Sequence, residues 1–356
     1  MRTRLDSLTG LRFVAALAVF GYHCGKDANP STVRDIAVDI AGRGFVGVSF
    51  FYVLSGFVLT WSHREDDSPA HFFRRRFARI APIYWVCLFG AWALVAVGSG
   101  DPARDSLRAL PSVPALQAWF PDPAVHFAGN GPGWSISAEM FFYAMFPLLI
   151  VAAASRRGRF ALALLAAALV LVLPAVLHPD SITDDQTAIW AIYVFPVTRL
   201  GEFVVGILLA KAIASGWRPP LGLGAALLLA AAAYAATGWL PAWLSVAIVT
   251  LVPFTLVLAA AVTADLEKRP SIWRSHTAVR LGEWSFAFYL VQWPVLRVQH
   301  KLVQVLDASV AVEWLSLLLA LVVAVAASAL LYTVVEKPLE KRLRGAPPRP
   351  AMLAAE

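Results

Sequence analysis

Ten apolar stretches divide the chain, near residues 8–24, 44–62, 79–98, 134–154, 160–177, 188–213, 221–237, 243–263, 281–300 and 311–334. Most approach the roughly 20 residues that a helix needs to cross a bilayer. Segments 160–177 and 221–237 are shorter but almost purely Ala, Leu and Val. The pattern predicts an all-α polytopic membrane protein of about ten transmembrane helices, forming a single domain over residues 1–344. The tail 345–356, rich in proline and alanine, is expected to be a disordered cytoplasmic extension.

An even number of spans puts both termini on one side, and charge decides which. Alternate connections carry Arg74, Arg75, Arg76 and Arg79, then Arg156, Arg157 and Arg159, then Lys211 and Arg218. The same set continues with Lys268, Arg269, Arg274 and Arg280, and ends on Lys337, Lys341, Arg342 and Arg344. The opposite connections are poorer in base and hold Asp180, Asp184 and Asp185. The positive-inside bias therefore puts both termini in the cytoplasm. The longest outer connection, Ser99–Gly133, is expected to fold back over the mouth of a cavity.

Composition agrees. Of 356 residues, 59% are hydrophobic and 15% charged, too apolar a balance for a soluble chain of this length. The net charge of +7 does not point to nucleic acid, because the basic residues sit where topology requires them. Cys24 and Cys87 fall at different depths, too far apart for a disulfide. No small-residue cleavage site follows Cys24, so the first span is expected to stay uncleaved.

Charged groups inside apolar spans are costly, and mark bundle interiors or watery cavities. The first span carries Arg12 and His23, which helical rise sets about 16 Å apart. His23 is a candidate general base or an interfacial histidine; Arg12 reaches a cavity or snorkels to the boundary. Glu139, in GWSISAEMFFYAMFPLL, lies about two turns into its span, at a depth expected to match His23. It either orients that imidazole or forms a structural ion pair. Arg199 and Glu202 stand three apart on one helix face, as one intrahelical pair or as two arms into the cavity. In HFFRRRFARIAPIYW, Arg75, Arg76 and Arg79 form a basic face suited to phosphate, or a plain headgroup anchor. Ser55 and Gly56 suit close helix packing, and no base stands beside Ser55 in sequence. Zinc spacing, P-loop, dinucleotide-binding glycines and nucleophile elbow are absent.

Taken together these stretches resemble the acyltransferase 3 family of integral membrane acyltransferases. The likeness runs from LDSLTGLRF to VVEKPLEKR, through Arg12 and His23 with ten residues between them, GVSFFYVLSGFVL, RRRFARIAPIYW, WSISAEMFFYAMFP, RLGEFVVGILLA and LGEWSFAFYLVQWP. It implies a cell-membrane enzyme, in a bacterial inner membrane, that moves an acyl group, often acetyl, from acyl-coenzyme A to a hydroxyl. Acyl-coenzyme A is a co-substrate, and no permanently bound cofactor or metal is implied. The acceptor is a small molecule, a glycan or a lipid. His23 is then the essential histidine with Arg12 its partner, Arg76 and Arg79 help hold the donor, and Glu139 fills the acidic position. Gln292 departs from the pattern, since many members have histidine there. On the residues alone, a secondary transporter with an intramembrane charged pathway is the alternative.

Overall fold

The computed structural model describes residues 4–25, 39–64, 68–177, 185–246, 248–307 and 309–344. The tail 345–356 lies outside them. Among the described residues there is no β-strand, and eight helices are long and apolar enough to cross a membrane. They fall on eight of the ten expected stretches. The remaining two are helical as well, with different shortfalls. Leu223–Trp239 is apolar but short, whereas His276–Val305 runs for 30 residues but carries Arg280, Glu283, Arg297 and Lys301.

The main helices are α1 (Asp6–Gly25), α2 (Gly47–Ser62), α3 (Pro69–Gly98), α4 (Trp134–Ala152) and α5 (Arg156–Ala167). They continue with α6 (Pro196–Ala214), α7 (Leu223–Ala236), α8 (Ile248–Leu266), α9 (His276–Val305), α10 (Val310–Leu331) and α11 (Lys337–Leu343). A π-helical turn, Tyr332–Glu336, joins the last two. The spans containing α2 and α6 are 78% and 72% buried, against 17% for Val310–Leu343, so α2 and α6 form the centre and α10 the rim.

Glycine explains that centre. A Cβ at Gly56 would stand 2.0 Å from the Phe203 carbonyl oxygen, and one at Gly206 2.0 Å from that of Val53. The two backbones meet where neither residue has a side chain, which is how helices associate when the surroundings are as apolar as they are. Another contact sets the register of α1. A Cβ at Gly47 would lie 2.7 Å from the Ala15 carbonyl oxygen, so the start of α2 is level with the middle of α1. Ser55, eight residues or about 12 Å farther along the antiparallel α2, comes level with the first turn of α1 near Ser7, and the long Arg12 side chain lines the same cavity.

The Ser99–Gly133 connection does fold back, but inward. Tyr84 donates its hydroxyl to the Ser112 carbonyl at 2.6 Å, Trp85 Nε1 donates to Val113 O at 2.9 Å, and Trp190 Nε1 to Ala118 O at 2.9 Å. Asn130 Nδ2 then donates to Leu290 O at 2.9 Å, halfway along α9. The chain has dived into the bundle before α4 begins, and Trp134, its first residue, is only 4% exposed.

Candidate active site

A cavity of about 670 Å³ runs through the bundle. One face of α2 lines it at helical spacing, through Val48, Tyr52, Ser55, Leu59 and Ser62. Its mouth carries Arg64, His71, Arg75, Arg76 and Arg344, and Ser62, Arg64 and Arg344 there are exposed. Farther in come Arg12, Arg79, Glu139 and Tyr143. The far end is blind and buried, walled by Val48, Tyr52, Ser135, Ile136 and Tyr289.

Glu139 is the carboxylate in the depth of this cavity. Its Oε1 accepts hydrogen bonds from Ser55 Oγ at 3.0 Å and from the Tyr143 hydroxyl one turn along α4. Arg12 lies within electrostatic reach of Glu139 and Glu336, with Arg79 opposing it. The floor is tied together by hydroxyls. Ser135 Oγ donates to Pro132 O at 2.9 Å and stands 2.7 Å from the Tyr289 hydroxyl, while Tyr52 donates to Ser135 O at 3.4 Å.

The mouth is shaped by the end of the chain. Arg79 pairs with Glu340 at 3.4 Å and lies 3.9 Å from Glu336, whose side chain is 1% exposed. Arg74 Nε donates to Leu343 O at 2.7 Å, and Arg344 pairs with Glu340 at 3.2 Å. The carboxylates of α11 and the π turn before it thus share the charge of Arg79. Arg76 lies 5.7 Å from the Phe72 ring centroid.

Of the residues singled out from sequence, the cavity gathers Arg12, Arg75, Arg76, Arg79 and Glu139. Three stand elsewhere. Arg199 and Glu202 form the intrahelical pair, Nη2 to Oε2 at 3.0 Å, with both side chains 1% exposed. Arg199 also donates to Ser49 Oγ at 2.9 Å and faces the rings of Tyr52 and Tyr193. Of the two readings left open by the sequence, the intrahelical pair is the one present: the side chains are turned on each other behind the cavity wall and do not reach into the cavity.

His23 is half-buried and does not line the cavity. Rings lie between it and the blind end: Tyr22 at 5.3 Å from the imidazole centroid, then Phe45 at 5.9 Å from Tyr22, Tyr193 at 5.8 Å from Phe45, and Trp134 at 4.8 Å from Tyr193. The expected matching depth of Glu139 and His23 is corrected here. Counting turns inward from the membrane surface misplaced Glu139, because α4 starts well below that surface. Glu139 meets Ser55 and Tyr143 near the level of the first turn of α1, within electrostatic reach of Arg12 and about 24 Å short of His23 along α1.

Sequence reasoning passed over several residues in the cavity and beside its mouth. Ser135 and Tyr143 flank Glu139 at four-residue spacing, a helical period that was there to be read. Glu336 and Glu340, four apart in VVEKPLEKR, are the natural counter-charges of an arginine run. Ser55 gave no local signal, since its carboxylate partner comes from a distant helix. Among the described residues no group of His, Cys, Asp and Glu could hold a metal ion. Gln292, fully buried, donates to Tyr289 O at 3.3 Å and does not line the cavity.

Apolar helices wrapped around a charged internal cavity define a multi-pass membrane protein. The family model described as an acyltransferase domain matches residues 5–333, and the chain belongs to the acyltransferase 3 family. It is 37% identical to Acyltransferase MdmB of Streptomyces mycarofaciens over 363 residues, covering 96% of this chain and 92% of that protein. Exopolysaccharide production protein ExoZ of Rhizobium meliloti is 30% identical over 190 residues, 52% of this chain and 56% of that protein. O-acetyltransferase OatA of Staphylococcus aureus is 25% identical over 229 residues, 58% of this chain and 34% of that protein. No solved structure matches the chain. The protein is thus a membrane acyltransferase, and the transporter alternative finds no support among these relatives.

Proposed function

We propose that this chain transfers an acyl group, acetyl or another short one, from acyl-coenzyme A to a hydroxyl of a carbohydrate, a glycolipid or a natural product. The observation that carries the reading is one cavity with a ring of guanidiniums at its mouth and a hydrogen-bonded carboxylate in its depth. Coenzyme A has the matching polarity, with phosphates at one end and a thioester at the other. Arg64, Arg75, Arg76 and Arg344 hold the phosphates, as guanidinium forks do. Arg79 contributes less, because Glu340 and Glu336 share it. The positive-inside bias of the sequence, with Arg74, Arg75 and Arg76 on the basic side, supports a cytoplasmic mouth, on the side where coenzyme A is found.

The donor's arm then passes Arg12 and Glu139. Glu139, fixed by Ser55 and Tyr143, accepts an amide N–H of the arm and balances the charge of Arg12. The thioester lies at the blind end. His23 is the general base of this proposal, supported by the resemblance of the first span and by its place beyond the ring layer, where a hydroxyl arrives from the outer side. It takes the hydroxyl proton as the oxygen attacks the thioester carbonyl. The tetrahedral intermediate then collapses, breaking the carbon–sulfur bond and expelling coenzyme A as the thiolate, which leaves through the mouth and takes a proton from solvent, while His23 gives up its proton on the outer side. The printed name of ExoZ points to a carbohydrate acceptor and that of OatA to O-acetyl transfer, although each match covers only part of that protein. The nearly full-length relative is named only as an acyltransferase.

The test uses purified protein in nanodiscs with radiolabelled acetyl-coenzyme A, comparing wild type, His23→Ala and Arg75→Ala/Arg76→Ala. Transfer or slow thioester hydrolysis should vanish in His23→Ala while donor binding persists, and binding itself should weaken in the arginine variant. Wild type that neither binds nor cleaves any acyl-coenzyme A ends the donor reading.

A further inference from the structure

We infer that the blind end of the cavity, formed by Val48, Ile136 and the Ser135–Tyr289 hydroxyl pair, sets the length of the acyl group at two to four carbons. This rests on the acyl-coenzyme A reading. The cavity's length can be measured along α2. Ser62 lines the mouth and Val48 the far end, and fourteen residues of helix between them span about 21 Å. The extended arm of coenzyme A, from its pyrophosphate phosphorus to sulfur, is about 13 bonds, or about 16 Å at roughly 1.25 Å per bond. With the pyrophosphate held level with Ser62 by Arg64 and Arg76, about 5 Å of cavity remains beyond the sulfur. A thioester carbonyl with one to three further carbons fills it.

The end wall is built to resist a longer chain. Val48 and Ile136 are each 3% exposed, and Tyr289 6%. The Tyr289 hydroxyl is 2.7 Å from Ser135 Oγ, which itself donates to Pro132 O at 2.9 Å. Behind that carbonyl, Gly131 is pressed against Trp293, with 2.7 Å between a Cβ built there and Trp293 Nε1. An alkyl chain pushing farther has to separate buried hydroxyls from their partners and displace backbone already braced on α9. Overfilling a matched apolar pocket by one methylene lowers specificity by about 10–200-fold.

The experiment measures kcat/KM for acetyl-, butyryl- and octanoyl-coenzyme A, by thiol release, on the full chain in nanodiscs. Wild type should favour acetyl over octanoyl by at least about tenfold. Ile136→Ala deepens the end and should raise the butyryl-to-acetyl ratio several-fold. Val48→Phe shallows it from another helix and should lower the same ratio, so the inference stays testable if either variant folds poorly. Octanoyl-coenzyme A turned over as well as acetyl by wild type overturns the ruler and leaves the donor reading intact. So does a butyryl-to-acetyl ratio unmoved in both variants. If no acyl-coenzyme A of any length is bound or cleaved, the donor reading fails and the ruler falls with it.

Discussion

Replacing Glu202 by glutamine keeps the side chain's shape and strips the charge from a pair sealed between helices. In the native protein Arg199 Nη2 has Glu202 Oε2 at 3.0 Å and Ser49 Oγ at 2.9 Å. Its guanidinium lies 5.3 Å from the Tyr52 ring centroid and 5.4 Å from that of Tyr193. The ring contacts exist with or without the carboxylate, so they do not compensate for its loss. Removing one partner of a buried ion pair costs about 3–5 kcal/mol, because the other charge is left uncompensated. The double variant Arg199→Met/Glu202→Leu removes both charges, and should recover most of that loss. Heat-induced unfolding midpoints in detergent, taken on all members of the cycle beside donor binding, separate scaffold from site. A Glu202→Gln protein as heat-stable as wild type but unable to bind acyl-coenzyme A would refute the scaffold assignment.

Gly56→Ala puts a Cβ 2.0 Å from the Phe203 carbonyl oxygen and should cost about 1–3 kcal/mol of stability by overpacking; an unchanged midpoint means the α2–α6 contact is looser than described. Tyr143→Phe deletes one donor to Glu139 and should raise KM for the donor several-fold while sparing kcat; a fall in kcat alone would move Glu139 into the chemical step. Arg79→Ala leaves Glu336 and Glu340 without their shared partner and should lower stability more than donor affinity, with the opposite ranking for Arg76→Ala. His126 is buried with Nδ1 3.0 Å from Phe120 O, and burial holds its pKa below the usual 6.5. The folded state then binds fewer protons than the unfolded one, so the stabilisation is present above about 6.5 and is lost as pH falls through that value. The unfolding midpoint should drop between about pH 7.5 and about 5, and by less in His126→Gln.

The sequence carried most of the fold, because apolar length and charge alternation are local properties of a span. It also named five cavity residues, since an arginine or glutamate inside an apolar stretch is conspicuous by its cost. What it did not carry was depth. Helical rise measures position along one helix, and comparing two helices needs a common origin. The Gly-rich end of the Ser99–Gly133 connection moved that origin for α4 by sinking to Leu290. The fate of Arg199 and Glu202 was likewise hidden: spacing shows that two side chains can meet, and only the packing of Ser49, Tyr52 and Tyr193 around them shows that they do. Ser55 illustrates the general limit, since its meaning depends on a residue 84 positions away.

The clamp on Arg79 also has a consequence for how the protein is made. Glu340 emerges 261 residues after Arg79, which at about 5–20 residues per second is a delay of roughly 13–50 s. Throughout that interval the third helix holds a guanidinium whose carboxylates have not yet been synthesised. The mouth of the cavity is therefore among the last features to be completed during biogenesis. A chain cut short before Glu336 would reach the membrane with nearly all its spans and an unfinished entrance.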